Sequence, residues 1–247
     1  MILRLLAKSS VNRVLGCINA RMVNAHWGPR GFTEAFERLR AQGFAPEQIV
    51  DVGASDGSWT RECLSVFPTA RYFLVDPLKE NVSHLERLCS ESEQIKFWPG
   101  ALGQTPGELP FFIHGDQSSF LQSEFQTDSS GAQVSVKVQP LDSFLGTPLL
   151  QPPQLLKADV QGFEIAVLQG APKCLETAEA LLLEVSYRQL YDGAPLAHEV
   201  ISYVASKGFR IYDICSYAQR AHDGELAQSD MLFVKAASRM FSYEKWQ

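Results

Sequence analysis

The chain has 247 residues, which suits one domain, and its 45% hydrophobic content is that of a globular protein with a buried core. A net charge of −6 argues against nonspecific nucleic-acid binding as its main activity. The five cysteines are scattered and form no Cys-x-x-Cys pair, which argues against a zinc site or a disulfide framework and favours a cytoplasmic location.

The first 33 residues carry five basic side chains and no acidic one. Apolar residues recur here at helical spacing, so residues 1–30 are predicted to form a basic helical appendage to a domain over residues 31–247. Two interpretations stay open: a helix packed on the core or on a partner subunit, which is favoured, or one in weak contact with an anionic membrane surface. Homo-oligomer formation also stays open.

From residue 32 onward, strands alternate with helices, which is typical of a parallel sheet with right-handed crossovers. Helices are predicted at 32–42, from the glycine turn to about 67, and at 80–89, 141–145, 163–175 and 198–207. Strands are predicted at 49–52, 71–75, 95–98, 155–158 and 180–185. Two further strands, at 108–114 and 133–139, predict a β-hairpin insertion after the third strand. The last strands, at 209–214 and 231–234, are predicted to pair antiparallel.

The chain is organised around Asp-x-Gly-x-x-x-Gly at residues 51–57, directly after the first predicted strand. Gly53 permits backbone angles closed to other residues, and Gly57 lets the following helix start approach a ligand. Free N–H groups at that helix start attract an anionic or hydroxyl-rich ligand. Asp51 could accept hydrogen bonds from a ligand's ammonium group. Ser55 stands where a dinucleotide site has its second glycine. A tight turn without a ligand is the alternative.

Asp76 ends the second predicted strand, 19 residues after Gly57 (76 − 57 = 19). A carboxylate at this place can accept hydrogen bonds from both ribose hydroxyls of a nucleoside. The alternative is an exposed acid before a proline turn. Ala101 and Leu102 follow the third strand, where small residues would admit a flat adenine ring.

A second dense motif, Lys-Ala-Asp-Val-Gln-Gly-Phe-Glu, spans residues 157–164. Lys157 and Asp159 are predicted to point to the same side of their strand, so Asp159 could pair with the lysine. Asp159 could instead hold a ligand's ammonium group, coordinate a metal, or act as a base. Glu184 interrupts the apolar fifth strand, where a carboxylate is costly unless it is paired or functional.

With these motifs placed, the chain resembles the FkbM-type family of S-adenosylmethionine-dependent methyltransferases over about residues 43–234. The resemblance rests on residues 49–57 and 156–164, together with Ala-Leu-Gly at 101–103, Leu-Asp-Ser-Phe-Leu at 141–145, Leu-Leu-Glu-Val at 182–185 and Asp-Met-Leu-Phe-Val at 230–234. Where this chain has Ser55 and Asp76, the family usually has Asn and Glu. Where it has Gln161, the family often has Glu. The last difference weakens a catalytic role for position 161.

The resemblance implies an α/β, Rossmann-like class I methyltransferase sheet, mostly parallel with an antiparallel last strand and helices on both faces. It implies O-methylation of a hydroxyl on a sugar, glycan, lipid or secondary metabolite, with Asp159 or Glu184 as base and Lys157 tuning Asp159. No metal is predicted, although a divalent ion stays open. The predicted residues contacting S-adenosylmethionine are Asp51, Gly53, Ala54, Ser55, Asp56, Gly57, Asp76, Ala101 and Leu102.

Two other functions stay open: a nucleotide-binding oxidoreductase of Rossmann type, and a catalytically silent scaffold that binds the cofactor alone. The predicted partner is a small-molecule, sugar or glycan acceptor, and no nucleic acid. Acceptor specificity is predicted to lie in the inserted loop over residues 115–131.

Overall fold

The structure, a computed structural model, describes residues 29–114, 118–122 and 133–241. Its elements in chain order are α1 Phe32–Ala41, β1 Gln48–Val52, α2 Ser58–Val66, β2 Arg71–Asp76, α3 Lys79–Glu91, β3 Ile95–Pro99, β4 Ala101–Leu102, β5 Gly107–Phe112, β6 Gln133–Gln139, a 3₁₀ turn Leu141–Phe144, β7 Leu155–Ala158, α4 Glu164–Gln169, α5 Pro172–Thr177, β8 Ala180–Ser186, α6 Ala197–Ser206, β9 Phe209–Gln219, β10 Leu226–Lys235 and a 3₁₀ turn Arg239–Phe241.

The main sheet has seven strands in the order β3-β2-β1-β7-β8-β10-β9. Strands β3 to β8 in this order run parallel, and β10 pairs antiparallel with both β8 and β9. The chain moves outward from β1 to β3 and then returns to β7 on the other side of β1. This reversal opens a crevice beyond the carboxyl ends of β1 and β7, where open α/β sheets bind ligands.

Helices cover both faces of this sheet, and its central strands are therefore buried on both sides. On β2, Phe73 and Val75 join one core with residues of α4, α5 and α6, while Tyr72 and Leu74 join a second core with residues of α1, α2 and α3. The alternating side chains of a single strand therefore fix helices on opposite faces. The predicted fold class is confirmed.

The inserted hairpin belongs to a separate three-stranded sheet in the order β4-β6-β5. Strands β5 and β6 pair antiparallel, as predicted for the insertion, and the two-residue strand β4 pairs parallel with β6. Phe111 and Val138 pack with Ala101 in a small core of their own. This core holds the insertion against the end of β3, beside the crevice.

Two parts of the sequence prediction change. The helix predicted over 163–175 is two helices, α4 and α5, because Pro172 cannot continue a helix and instead begins the second one. Strands β9 and β10 are longer than predicted. Of the proposed appendage, residues 1–28 lie outside the described residues.

In the described part of the chain, every helix falls short of the length and apolarity that crossing a bilayer requires.

Candidate functional site

Two adjoining cavities open at the carboxyl ends of β1 and β7, with volumes of about 250 and 150 Å³. Both are lined by Gly53, Ser55 and Asp159, so these residues form their shared wall. The larger cavity extends towards β2 and the insertion, and the smaller one towards β8 and β10. The larger is lined further by Asp76, Leu78, Asn81, Gly100, Ala101, Leu102, Phe120 and Phe163, among others, and the smaller by Phe32, Ala54, Trp59, Lys157, Glu184 and Asp230, among others.

Asp76 ends β2 and lies on the wall of the larger cavity with only 4% of its surface exposed. One carboxylate oxygen accepts the Ser55 N–H at 2.9 Å, and the other accepts the Leu78 N–H at 2.9 Å and the Asn81 amide at 3.0 Å. Burial raises the pKa of Asp76, and these donors act in the opposite direction. They hold the carboxylate in one orientation and use three of its about four acceptor positions, so one is left for a ligand, on the oxygen that accepts the Ser55 N–H.

The glycine turn is shaped by contacts within the protein. Gly53 has φ 73°, and a Cβ there would lie 1.9 Å from the backbone oxygen of Asp159, so β1 and β7 approach each other through their backbones. Gly57 has φ 82°, and its Cβ would lie 2.8 Å from Leu88 on α3. Asp56 is exposed and accepts the Ser58 N–H at 2.9 Å. Asp56 and Gly57 build the turn and line neither of the two cavities, and their contacts with a ligand stay predictions.

Asp51 is also placed differently from the prediction. It is fully buried beneath the turn, where it forms a 3.1 Å ion pair with Lys157, its register partner on β7, and accepts the Thr60 hydroxyl at 2.7 Å. Asp51 therefore supports the site from below and lines neither cavity. Asp51, not Asp159 as expected, is the carboxylate paired with Lys157.

The Lys157 ammonium donates hydrogen bonds to the carbonyl oxygens of Val52 and Gly53 at 3.3 and 2.6 Å. Burial disfavours the charged form, but the charges of Asp51 and then Asp159 outweigh it and raise the pKa of Lys157. Lys157 thus stays charged and holds the glycine turn in place through its hydrogen bonds to these two carbonyl oxygens.

A group of carboxylates lines the smaller cavity. Glu184 on β8 and Asp230 on β10 are register partners, and Asp159 stands at the end of β7. Burial, together with the neighbouring charges of Asp159, Glu164 and Asp230, raises the pKa of Glu184 to about 9. Glu184 therefore keeps its proton at neutral pH, which makes it a poor candidate for the predicted base.

Two glutamine amides hold these carboxylates. Gln161 Nε2 donates to Asp159 Oδ1 at 2.8 Å and to Glu184 Oε2 at 2.7 Å, and Gln228 Nε2 donates to the same Glu184 oxygen at 2.7 Å. Gln161 Oε1 accepts the Tyr191 hydroxyl at 2.8 Å. These amides hold the two neighbouring carboxyl groups in fixed orientations.

An aromatic pair closes the side of the smaller cavity next to α1 and α2. The rings of Phe32 and Trp59 lie 5.5 Å apart at 32°. The Lys157 ammonium lies 5.9 Å from the Trp59 ring. The smaller cavity thus combines aromatic faces with acidic side chains, a lining that can contact both the apolar faces and the hydroxyl groups of a ligand.

The sequence analysis missed six of these residues. Asp230 interrupts an apolar strand as Glu184 does, and this signal was available. The roles of the others depend on contacts between distant parts of the chain, which no local pattern encodes; they are Phe32, Trp59, Gln161, Tyr191 and Gln228. In the three described ranges, no group of three or more His, Cys, Asp or Glu side chains is arranged to hold a metal ion.

A family model described as "Methyltransferase FkbM domain" matches residues 51–211. The chain is 26% identical over 159 residues to the 2-O-methyltransferase NoeI of Sinorhizobium fredii, over 59% of this chain and 65% of that protein. It thus spans slightly less than two thirds of this relative. Among solved structures it is similar to the methyltransferase FkbM of Methylobacillus flagellatus, with a TM-score of 0.54 and 17% identity, over 83% of this chain and 48% of that one. The last similarity supports the fold alone.

Proposed function

The chain belongs to the methyltransferase FkbM domain family, and from this premise we propose that it transfers the methyl group of S-adenosylmethionine to a hydroxyl group. The observation that carries the proposal is the position of Asp159, on the wall that the two cavities share. A methyl group passing from a donor in one cavity to an acceptor in the other would pass beside this carboxylate.

The larger cavity suits the adenosine part of S-adenosylmethionine. Asp76 offers a fixed carboxylate that can accept hydrogen bonds from ribose hydroxyls. Ala101 and Leu102 are buried beside Gly100 and leave a smooth wall for a flat ring. Gly53 and Ser55 on the shared wall, with Ala54 on the side of the smaller cavity, would hold the amino-acid end.

S-adenosylmethionine, when bound, supplies a methyl group that is already activated on a sulfonium, so the protein must chiefly align the reactants. Asp159 would accept the proton of the acceptor hydroxyl as its oxygen bonds to the methyl carbon. Glu184, which keeps its own proton at neutral pH, would hold Asp159 in place. Lys157 would fix the turn that carries Gly53.

The acceptor that we propose is a hydroxyl-bearing small molecule: a sugar, glycan, lipid or secondary metabolite. The acidic and aromatic lining of the smaller cavity supports a neutral, hydroxyl-rich ligand and disfavours nucleic acid, which is polyanionic. The relative named as a 2-O-methyltransferase supports oxygen as the methylated atom. A cytoplasmic location is part of the proposal. A homo-oligomer and weak membrane contact through residues 1–30 stay open, and packing of that segment on the core or on a partner subunit stays the favoured interpretation.

Transfer of a labelled methyl group from S-adenosylmethionine to glycan and lipid fractions tests this function. Label should enter a fraction with the native chain and not with Asp76→Ala, which lacks the proposed ribose contact. Calorimetry with S-adenosylhomocysteine and with NAD tests the cofactor separately. Binding of NAD instead would support the oxidoreductase alternative, and S-adenosylhomocysteine binding without transfer to a broad acceptor panel would support the silent scaffold.

A further inference from the structure

Gln161 joins four separate parts of the chain. It follows β7 in a left-handed conformation, with φ 52°, which is uncommon for a residue other than glycine. Its side chain contacts Asp159, Glu184 and Tyr191. Its backbone oxygen accepts the hydroxyl of Ser119, from the insertion, at 2.7 Å.

The orientation of the Gln161 amide follows from its neighbours. An amide has one acceptor end and one donor end with two N–H groups. Two carboxyl groups lie at one end, and a hydroxyl that can donate lies at the other. The reverse orientation would place the amide oxygen against both carboxyl groups, so the observed one satisfies every partner.

Position 161 thus places a neutral double donor between two acids. A leucine there would leave Asp159 without this hydrogen bond, free to rotate away from the shared wall. Gln228 offers a natural comparison, because it donates to Glu184 at the same distance, 2.7 Å, and its hydrogen bonds within the described residues do not include one to Asp159. The two glutamines therefore separate an effect on Glu184 from an effect on Asp159.

We propose that Gln161 is a positioning residue that holds the Asp159 carboxylate on the shared wall, facing the sulfonium of S-adenosylmethionine. This inference rests on the proposed function. S-adenosylmethionine carries a positive sulfur and S-adenosylhomocysteine a neutral one, so a carboxylate held beside the sulfur favours the first ligand over the second. The ratio of the two affinities therefore reports on Asp159 without any knowledge of the acceptor.

The experiment measures both affinities by calorimetry, at neutral pH and low salt, for the native chain, Asp159→Asn, Gln161→Leu, Gln228→Leu and the double variant Asp159→Asn/Gln161→Leu. We expect Asp159→Asn and Gln161→Leu each to lower the preference for S-adenosylmethionine by about three- to tenfold, the scale of one partly screened charge contact. The double variant should show little further loss, because both changes remove the same interaction. Gln228→Leu should change the preference less than Gln161→Leu does.

If Gln161→Leu does not fold, the same two affinities are measured for Tyr191→Phe. This variant removes the hydroxyl that donates to the acceptor end of the Gln161 amide. It should lower the preference in the same direction, by less. Equal losses of both affinities in Gln161→Leu would overturn the proposal and leave a structural role. An unchanged preference in Asp159→Asn would also overturn it, whereas failure of the native chain to bind either ligand would contradict the proposed function itself.

Discussion

Asp51 and Lys157 are register partners on adjacent parallel strands, and their side chains form a buried 3.1 Å ion pair under the glycine turn. The lysine also donates to the carbonyl oxygens of Val52 and Gly53, so one ammonium group links the core to the floor of both cavities. The turn is therefore held from below by a charge, and not by apolar packing alone.

We predict that Lys157→Met lowers the free energy of unfolding by about 3–5 kcal/mol, because it leaves a buried carboxylate unpaired. Urea unfolding of the two proteins measures this difference. The control is Arg87→Met, which breaks an exposed pair with Glu91 on α3 and should cost less than about 1 kcal/mol. Similar small costs for both variants would show that Asp51 does not depend on Lys157.

The free energy of unfolding should fall as the pH rises from 4.5 to about 9, because the pKa of Glu184 is raised across this range in the folded chain. Its pKa is raised from 4.5 to about 9 in the folded chain, so between these values the folded state holds more protons than the unfolded state. The free energy of unfolding then decreases with increasing pH over that range. Glu184→Gln removes this contribution, and its thermal melting temperature between pH 5 and 9 should decline less steeply. Parallel pH profiles for the two proteins would contradict the raised pKa.

Asp76→Ala should weaken S-adenosylhomocysteine binding by about 1.5–3 kcal/mol, the usual cost of losing hydrogen bonds to a charged group. Calorimetry measures the loss. Glu80→Gln is the control, since it removes an exposed acid near the start of α3 that does not line the larger cavity. An equal effect of the two variants would mean that general charge, and not the fixed carboxylate, governs binding.

Gly53→Ala should be more destabilising than Gly57→Ala. Both glycines have positive φ, and at each of them alanine adds strain. At Gly53 the added carbon would lie 1.9 Å from a backbone oxygen, whereas at Gly57 it would lie 2.8 Å from the end of the Leu88 side chain, which can move. Denaturant unfolding measures both variants, and the reverse order would contradict the close approach of β1 and β7.

The sequence predicted much of the fold because the local patterns were strong. Alternating strands and helices, the inserted hairpin and the antiparallel end were all read from periodicity and turn residues. Asp76 was placed correctly at a strand end because the apolar run before it and Pro77 after it are local signals. The partner of Lys157 was not predictable in this way, because the pairing of β1 with β7 joins residues 106 positions apart (157 − 51 = 106).

The same reasoning explains the site residues that local patterns missed. Gln161 looked uninformative because the family often has Glu there, and its importance lies in contacts with Glu184 and Tyr191, more than 20 residues away. Gly57 matched a ligand-binding pattern, and the structure adds two other reasons for a glycine there: its positive φ and the close approach of Leu88 from another helix. Local sequence therefore indicates where a site lies more reliably than which side chains hold it together.

The position of β10 has a consequence for synthesis. In the sheet this strand lies between β8 and β9, yet it follows both in the chain. It carries Asp230 to the wall of the smaller cavity and Gln228 to Glu184. The residues lining the larger cavity, by contrast, all precede residue 164. A chain emerging from the ribosome thus completes the lining of the larger cavity first. The wall of the smaller cavity is complete only when β10 has inserted between β8 and β9.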